Sequence, residues 1–211
     1  MMNLALFDLD HTLLPIDSDY EWGQFLVRIG AVDAAAFARR NDEFFAQYQA
    51  GTLAGFPRAQ LDEMQARFMA EVIAPAIRPS ARALLQQHQD AGDLVAIVTA
   101  TNHFVTAPIA KALGVAHLIA AMPELDADGN LTGKLLGTPT QGAGKIVHTK
   151  AWLEKMGKTL EDFGTVHFYS DSHNDLPLMS IVSHPVATNP NQQLKTHAAA
   201  HGWPLIDLFN D

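Results

Sequence analysis

The chain contains no cysteine. That excludes disulfides, zinc–thiolate sites and a cysteine nucleophile together. It also has no run of Lys and Arg. Its 14 basic residues are outnumbered by 23 acids, giving a formal net charge of -9. Such a surface is a poor match for a phosphate backbone, so no nucleic-acid partner is expected. Long apolar runs are missing too. Leu4 to Phe7 is broken at once by Asp8 and Asp10, which is too short and too acidic for a signal peptide or a membrane span. A cytoplasmic protein with no membrane partner is the expectation. There are no internal repeats or low-complexity segments, and nothing in the pattern specifies an oligomeric state.

What is present is a chain of 211 residues, 48% hydrophobic and 18% charged. That composition supports a packed core and one domain with a sizeable insertion, or two small domains. Leu4-Ala5-Leu6-Phe7 reads as a buried strand whose carboxyl end carries two acids. From Asp19 to Ala74 the pattern is helical. Trp22, Phe25, Leu26 and Ile29 recur at helical spacing, as do Phe37, Phe44, Phe45 and Tyr48. Gly30, Gly51 and Gly55 punctuate these helices.

After Pro75 and Pro79 strands and helices alternate. Ser80 to Ala91 is a helix closed by Gly92, and Leu94 to Val98 a buried strand running into Thr99. Val105 to Leu113 is a helix closed by Gly114. Leu118 to Met122 is a further strand, and Glu124 to Leu136 a hairpin turning at Asp128-Gly129-Asn130. A helix over Gly144 to Met156 and a strand over Val166 to Tyr169 follow. A last strand at Val186-Ala187 and a helix over Leu194 to Ala200 end the series. The expected fold is α/β: a Rossmann-like, doubly wound parallel sheet with an inserted all-helical cap. Residues 1–14 and 79–211 would form the core and 15–78 the cap.

In open α/β sheets ligands bind beyond the carboxyl ends of the strands. There the expected strands present Asp8 and Asp10, then Thr99, then Asp171 and Asp175, with Lys145 opening a helix between them. This set suits phosphoryl transfer. A carboxylate serves as nucleophile, and a second carboxylate two residues on moves the proton. Clustered carboxylates repel by about 4 kcal/mol per pair at ~4 Å and an effective dielectric of ~20. A divalent cation removes that penalty, and oxygen-only ligands favour magnesium.

Asp8-Leu9-Asp10-His11-Thr12-Leu13-Leu14 resembles the first motif of the haloacid dehalogenase-like phosphatases. Thr99 resembles the second, Lys145 the third, and Ser170-Asp171-Ser172-His173-Asn174-Asp175 the fourth. The order and spacing match across almost the whole chain, and the helical insert resembles the cap of the phosphoserine phosphatase subgroup. The resemblance implies a phosphomonoester hydrolase working through an aspartyl-phosphate. Asp8 would be nucleophile and Mg2+ ligand. Asp10 would be general acid and base, its backbone carbonyl also touching the metal. Thr99 and Lys145 would hold the phosphoryl oxygens, Asp171 and Asp175 would complete the metal site, and Asn102 and Asn174 would assist in substrate binding.

Two departures bear on substrate. Phosphoserine phosphatases usually follow the second motif with glycines, whereas Ala100, Thr101 and Asn102 follow here. Their cap grips the amino acid with an acid and an arginine. The candidates here are Asp17, Asp19 and Glu21 for the acid, and Arg58 and Arg67 for the arginine. The expected partner is a small phosphorylated metabolite, phosphoserine or an amino-alcohol phosphate such as histidinol phosphate. A phosphotransferase or mutase with the same intermediate is an alternative. A receiver-type signalling domain is a further one, but receivers place their aspartate on a middle strand and lack the insert. Gly142-Ala143-Gly144-Lys145 fails as a phosphate loop, because Ile146 replaces the required Ser or Thr. His197 and His201 share a helix face without an intervening Glu and read as solvated.

Overall fold

A computed structural model describes residues 2–35, 37 and 53–210. The expected helical positions Phe44, Phe45, Tyr48 and Gly51 lie outside the described residues. The core is a seven-stranded sheet of β1 (Leu4–Phe7), β2 (Leu94–Asn102), β3 (His117–Leu125), β4 (Leu131–Leu136), β5 (Val166–Ser170), β6 (His184–Thr188) and β7 (Leu205–Ile206). The strand order is β4-β3-β2-β1-β5-β6-β7. All neighbours run parallel except β3 and β4, which form the expected hairpin.

β1 is central because it is apolar on both faces, and parity sorts its side chains. Ala5 and Phe7 join Val95 and Ile97 in one apolar cluster, while Leu4 and Leu6 join Ala96 and Val98 in the other. Each cluster is covered by helices, which is why the central strands read as unbroken hydrophobic runs. The first cluster takes α1 (Ser18–Arg28) through Trp22 and Phe25, α3 (Pro79–Asp90) through Ala81 and Leu85, and α4 (His103–Ala112) through Val105 and Ile109. The second takes α5 (Ala143–Glu154) through Leu153, α6 (Leu176–Met179) through Leu178, and α7 (Gln192–His201) through Leu194 and Ala198.

Among the described residues no strand falls between β1 and β2. α1 is followed there by α2 (Arg58–Phe68), which runs on through a π-helical turn at Met69–Ile73 into Ala74–Ala76. Pro75 therefore lies inside a helical run and does not end it. It falls in the first turn after the wider π spacing, where its missing N–H costs little. Gly92 and Gly114 close α3 and α4 with φ of +76° and +75°, as expected of left-handed helix ends.

β2 runs past its expected end at Val98 to Asn102. Its register with β3 slips there: Val98 faces Ile119, but Asn102 faces Ala121. Four residues of β2 thus span two of β3, a bulge that carries Thr99 to Thr101. Bulges commonly re-aim side chains beside active sites. β7, only two residues long, carries no pattern that a sequence reading could find. No helix among the described residues is long and apolar enough to cross a membrane.

Candidate active site

The chain leaves β1 for β2 on one side and later returns to β5 on the other, so the topological switch lies at the carboxyl end of β1. Ligand crevices open at such points. Here a cavity of about 510 Å³ is lined by Asp8, Asp10, Thr99, Lys145, Asn174, Asp171 and Asp175, among others. Eight distinct positions were expected at the site, and these seven are brought together.

Asp8 directly follows β1, and its N–H donates to the Tyr169 carbonyl of β5 at 2.9 Å. Lys145 enters from the first turn of α5 and is 2% exposed. Its ammonium stands 2.8 Å from Asp8 Oδ1 and 2.7 Å from Asp175 Oδ2. The Ser170 hydroxyl donates to the same Asp175 oxygen at 2.7 Å. Burial works against the Lys145 charge, but Asp8 and Asp175 outweigh it and hold the ammonium above its ordinary range.

Gly144 makes this entry possible. A Cβ there would stand 1.9 Å from the Pro139 carbonyl oxygen, so only glycine lets α5 start so close to the preceding loop.

Asp10 is fixed through both carboxylate oxygens. Oδ1 accepts the Ser18 N–H at 2.7 Å and Oδ2 the Thr101 hydroxyl at 2.8 Å. Burial, then the neighbouring Asp17, push its carboxyl up to about 6 against these hydrogen bonds. Thr99 Oγ1 accepts the Thr101 N–H at 3.1 Å, which leaves its own hydrogen for the cavity. Asp171 receives the Thr12 hydroxyl on Oδ1 at 3.2 Å, while its N–H donates to Thr12 Oγ1 at 3.0 Å.

The charge balance is lopsided. Burial raises Asp8 well above the usual carboxylate range; Lys145 opposes this, and Asp175 and Asp171 add to it. Burial raises Asp171 as well. One ammonium thus serves two carboxylates, Asp8 and Asp175, with Asp171 a further negative charge beside Asp8. Among the described residues no three acids or histidines already form a coordination shell. The donor chemistry nonetheless suits a hard divalent cation: every donor is oxygen, cysteine is absent, and the carboxylates are destabilised by burial and by one another. The free donors are the second oxygens of Asp8, Asp171 and Asp175 and the backbone carbonyl of Asp10. The Asp175 Oδ2 is taken by Lys145 and Ser170, and the Asp10 carboxylate by Ser18 and Thr101.

Asn102 departs from its expected role. It does not line the cavity, and its Oδ1 caps α4 by accepting the Val105 N–H at 3.1 Å. An N-cap needs such an oxygen, and that use turns the amide away from substrate. Its Nδ2 reaches Asp19 Oδ1 at 3.4 Å. Asp17 and Asp19 do line the cavity, whereas Glu21 does not. Burial, then Asp17 and Asp10, raise Asp19 well above the usual carboxylate range. Arg58 and Arg67 lie away from the cavity, paired on exposed helix faces with Asp62 at 2.8 Å and Glu71 at 3.1 Å. Thr12, Ser170 and Thr101 had drawn no role from the sequence. Each left a trace: Thr12 and Ser170 stand inside the first and fourth motifs, and Thr101 two residues from Thr99, the spacing of one strand face.

Fold and site define a class: an α/β enzyme with an acid pair behind its first strand and a lysine bridging to a second acid pair. Residues 5–180 match the model of the haloacid dehalogenase-like hydrolase family. The chain is 41% identical to a protein of Neisseria meningitidis serogroup C named histidinol-phosphatase, over 99% of this chain and 100% of that one. It is 32% identical to a phosphoserine phosphatase of Mycobacterium tuberculosis, over 97% of this chain and 70% of that one. A crystal structure of a protein of unknown function from Bordetella pertussis superposes with a TM-score of 0.95 at 48% identity, covering 99% and 100% of the two chains. The chain belongs to the haloacid dehalogenase-like hydrolase family, and within it to the phosphatases.

Proposed function

We propose that the protein hydrolyses a small cytoplasmic phosphomonoester with a cationic leaving group, of the histidinol phosphate or phosphoserine type, through an aspartyl-phosphate on Asp8. The observation that carries this reading is the Lys145 ammonium held between Asp8 and Asp175 beside an independently clamped Asp10.

In the first step an Asp8 carboxylate oxygen attacks phosphorus, the bond from phosphorus to the ester oxygen breaks, and the Asp10 carboxyl gives that oxygen its proton. In the second step water attacks phosphorus while Asp10, now a carboxylate, takes its proton. The bond to Asp8 breaks and inorganic phosphate leaves. An Asp10 carboxyl near 6 suits both tasks, being readily protonated and readily ionised near neutrality. Burial drives Asp8 toward the neutral acid, and Lys145 opposes this in favour of the carboxylate that attack requires. Lys145 and the Thr99 hydroxyl screen the equatorial oxygens. Asp8, Asp171 and the Asp10 carbonyl would hold Mg2+, with Asp175 orienting the cluster; the cation would supply charge stabilisation for the phosphoryl group.

Residues 15–78 are read as a helical cap over a core of 1–14 and 79–211. Asp17 and Asp19 on the cavity wall favour a cation over an anion in the leaving group. The relative named histidinol-phosphatase favours the amino-alcohol ester over the amino acid.

The test is phosphate release from a panel containing histidinol phosphate, phosphoserine and uncharged sugar phosphates, with and without an acceptor alcohol. Release from the amino esters is expected, halted by chelation and restored by Mg2+. Preference for uncharged esters would overturn the leaving-group reading. Phosphate passing mainly to the alcohol would make the protein a phosphotransferase.

A further inference from the structure

Two non-glycine residues among those described have positive φ, His11 at +58° and Asn189 at +46°. They are hydrogen-bonded to each other across the molecule. Asn189 Nδ2 donates to the His11 carbonyl at 3.0 Å and to the Thr12 carbonyl at 3.1 Å. Its Oδ1 accepts the Leu208 N–H at 2.6 Å, and its own N–H donates to the Ile206 carbonyl at 2.8 Å. Two residues on, the Asn191 N–H donates to the Asp171 carbonyl at 2.8 Å.

The turn after Asp10 closes on itself with its N–H groups. Those of Thr12, Leu13 and Leu14 all converge on the Leu9 carbonyl. The carbonyls of His11 and Thr12 point the other way and need donors from elsewhere. One amide, 178 and 177 residues further along the chain, supplies both. Thr12 in turn holds Asp171. Strained backbone persists only where its surroundings over-determine it, and here the two strained residues fix each other.

We propose that Asn189 is a positioning residue, a latch through which the β6–α7 turn and the carboxyl-terminal segment hold the loop that aims Asp8, Asp10 and Thr12. This rests on the reading of Asp8 and Asp10 as the reacting pair. The latch touches no substrate, so it acts on the rate of the chemical step and not on substrate affinity.

The test compares N189D and N189G with the wild-type protein. N189D keeps the acceptor for Leu208 but removes both donors to the loop. N189G removes the whole side chain yet suits a left-handed backbone better than asparagine does. Both are expected to lower kcat on the best ester by at least about tenfold with KM within about twofold, the pattern of a lost transition-state geometry. In both, amide hydrogen exchange over residues 9–14 should quicken by at least about tenfold, with the β-sheet core unchanged. If Asn189 served only to make a left-handed turn, N189G would keep wild-type kcat and protection, which would overturn the proposal. Should N189D not fold, N189G alone decides. Lost protection with unchanged kcat would also overturn it. A wild-type protein that releases no phosphate from any ester would sink the hydrolase reading instead, and exchange over residues 9–14 would still decide the latch.

Discussion

Lys145 carries a charge into the protein interior and divides it between Asp8 and Asp175, at 2.8 and 2.7 Å. An isolated ammonium could not remain there, and neither could the two carboxylates without it. K145M, which keeps the length and removes the charge, should therefore lose on two counts. Stability should fall by about 3–5 kcal/mol, the usual cost of stranding one side of a buried ion pair. Turnover should fall by about 10²–10³-fold from the loss of a preorganised charge at the phosphoryl group. Thermal melts and phosphate release measure the two separately; a fully active K145M would remove the lysine from the account. At this scale the sequence was legible wherever residues came in motif order, as with Asp8, Asp10, Thr99, Lys145, Asp171 and Asp175. It was not legible where a side chain serves another side chain. Thr101 of β2 reaches Asp10 in the loop after β1, and Ser170 at the end of β5 reaches Asp175 in the turn that follows, contacts between side chains that residue type and spacing alone do not specify. Asn102 lies off the cavity lining because its amide oxygen caps a helix, a use that residue type alone does not distinguish from binding substrate.

The elements show which patterns carry information. Amphipathic spacing in α1 and glycine stops after α3 and α4 were readable because each follows from local geometry. The bulge of β2 was not, since it is a relation between β2 and β3. It nonetheless sets the site, because it brings Thr99 and Thr101 both to the cavity. The start of α5 is a second such relation. Gly144 stands too close to Pro139 for any side chain. G144A must push the helix start outward, at about 1–3 kcal/mol for an overpacked position. Lys145, the next residue, moves with it. The expected result is a melting temperature lower by roughly 2–10 °C, with a kcat loss larger than that modest destabilisation explains. Unchanged kcat in a destabilised G144A would separate the helix start from the chemistry.

At the scale of the whole molecule the site is one end of the sheet and a histidine cluster occupies one of its faces. His167 of β5 lies 5.0 Å from the His88 ring and 5.1 Å from the His184 ring, centroid to centroid. His88 is itself held by Asp93 at 2.7 Å and Tyr169 at 2.8 Å. Burial, then His88 and His184, lower the pKa of His167, while Asp93 opposes this. The unfolded chain therefore takes up a proton near the ordinary value of about 6.5, and the folded protein only at lower pH. The His167 contribution to stability should be full above that value and decline as pH falls below it, while Asp10, raised to about 6, contributes with the opposite sign. Relative to wild type, H167Q should lose less stability in thermal melts as pH falls below about 6.5, as the linkage relation requires. A stability difference between wild type and H167Q that stays constant on acidification through this range would contradict the assignment. The α/β class followed from the order of elements, strands alternating with helices, whereas the central position of β1 is seen only in the sheet. The latch between Asn189 and the loop after Asp10 did not, because it joins positions almost a chain length apart.

The account turns on a phosphate bonded to Asp8. Its most direct measurement is acid quenching during turnover with Mg2+ and the best ester, followed by mass spectrometry of the peptides. The account predicts phosphate on the peptide carrying Asp8 in the wild-type protein. It also predicts no phosphopeptide, and at least about a 10³-fold loss of turnover, in a folded D8N. Phosphate trapped on another residue, or near-normal turnover by D8N, would contradict it.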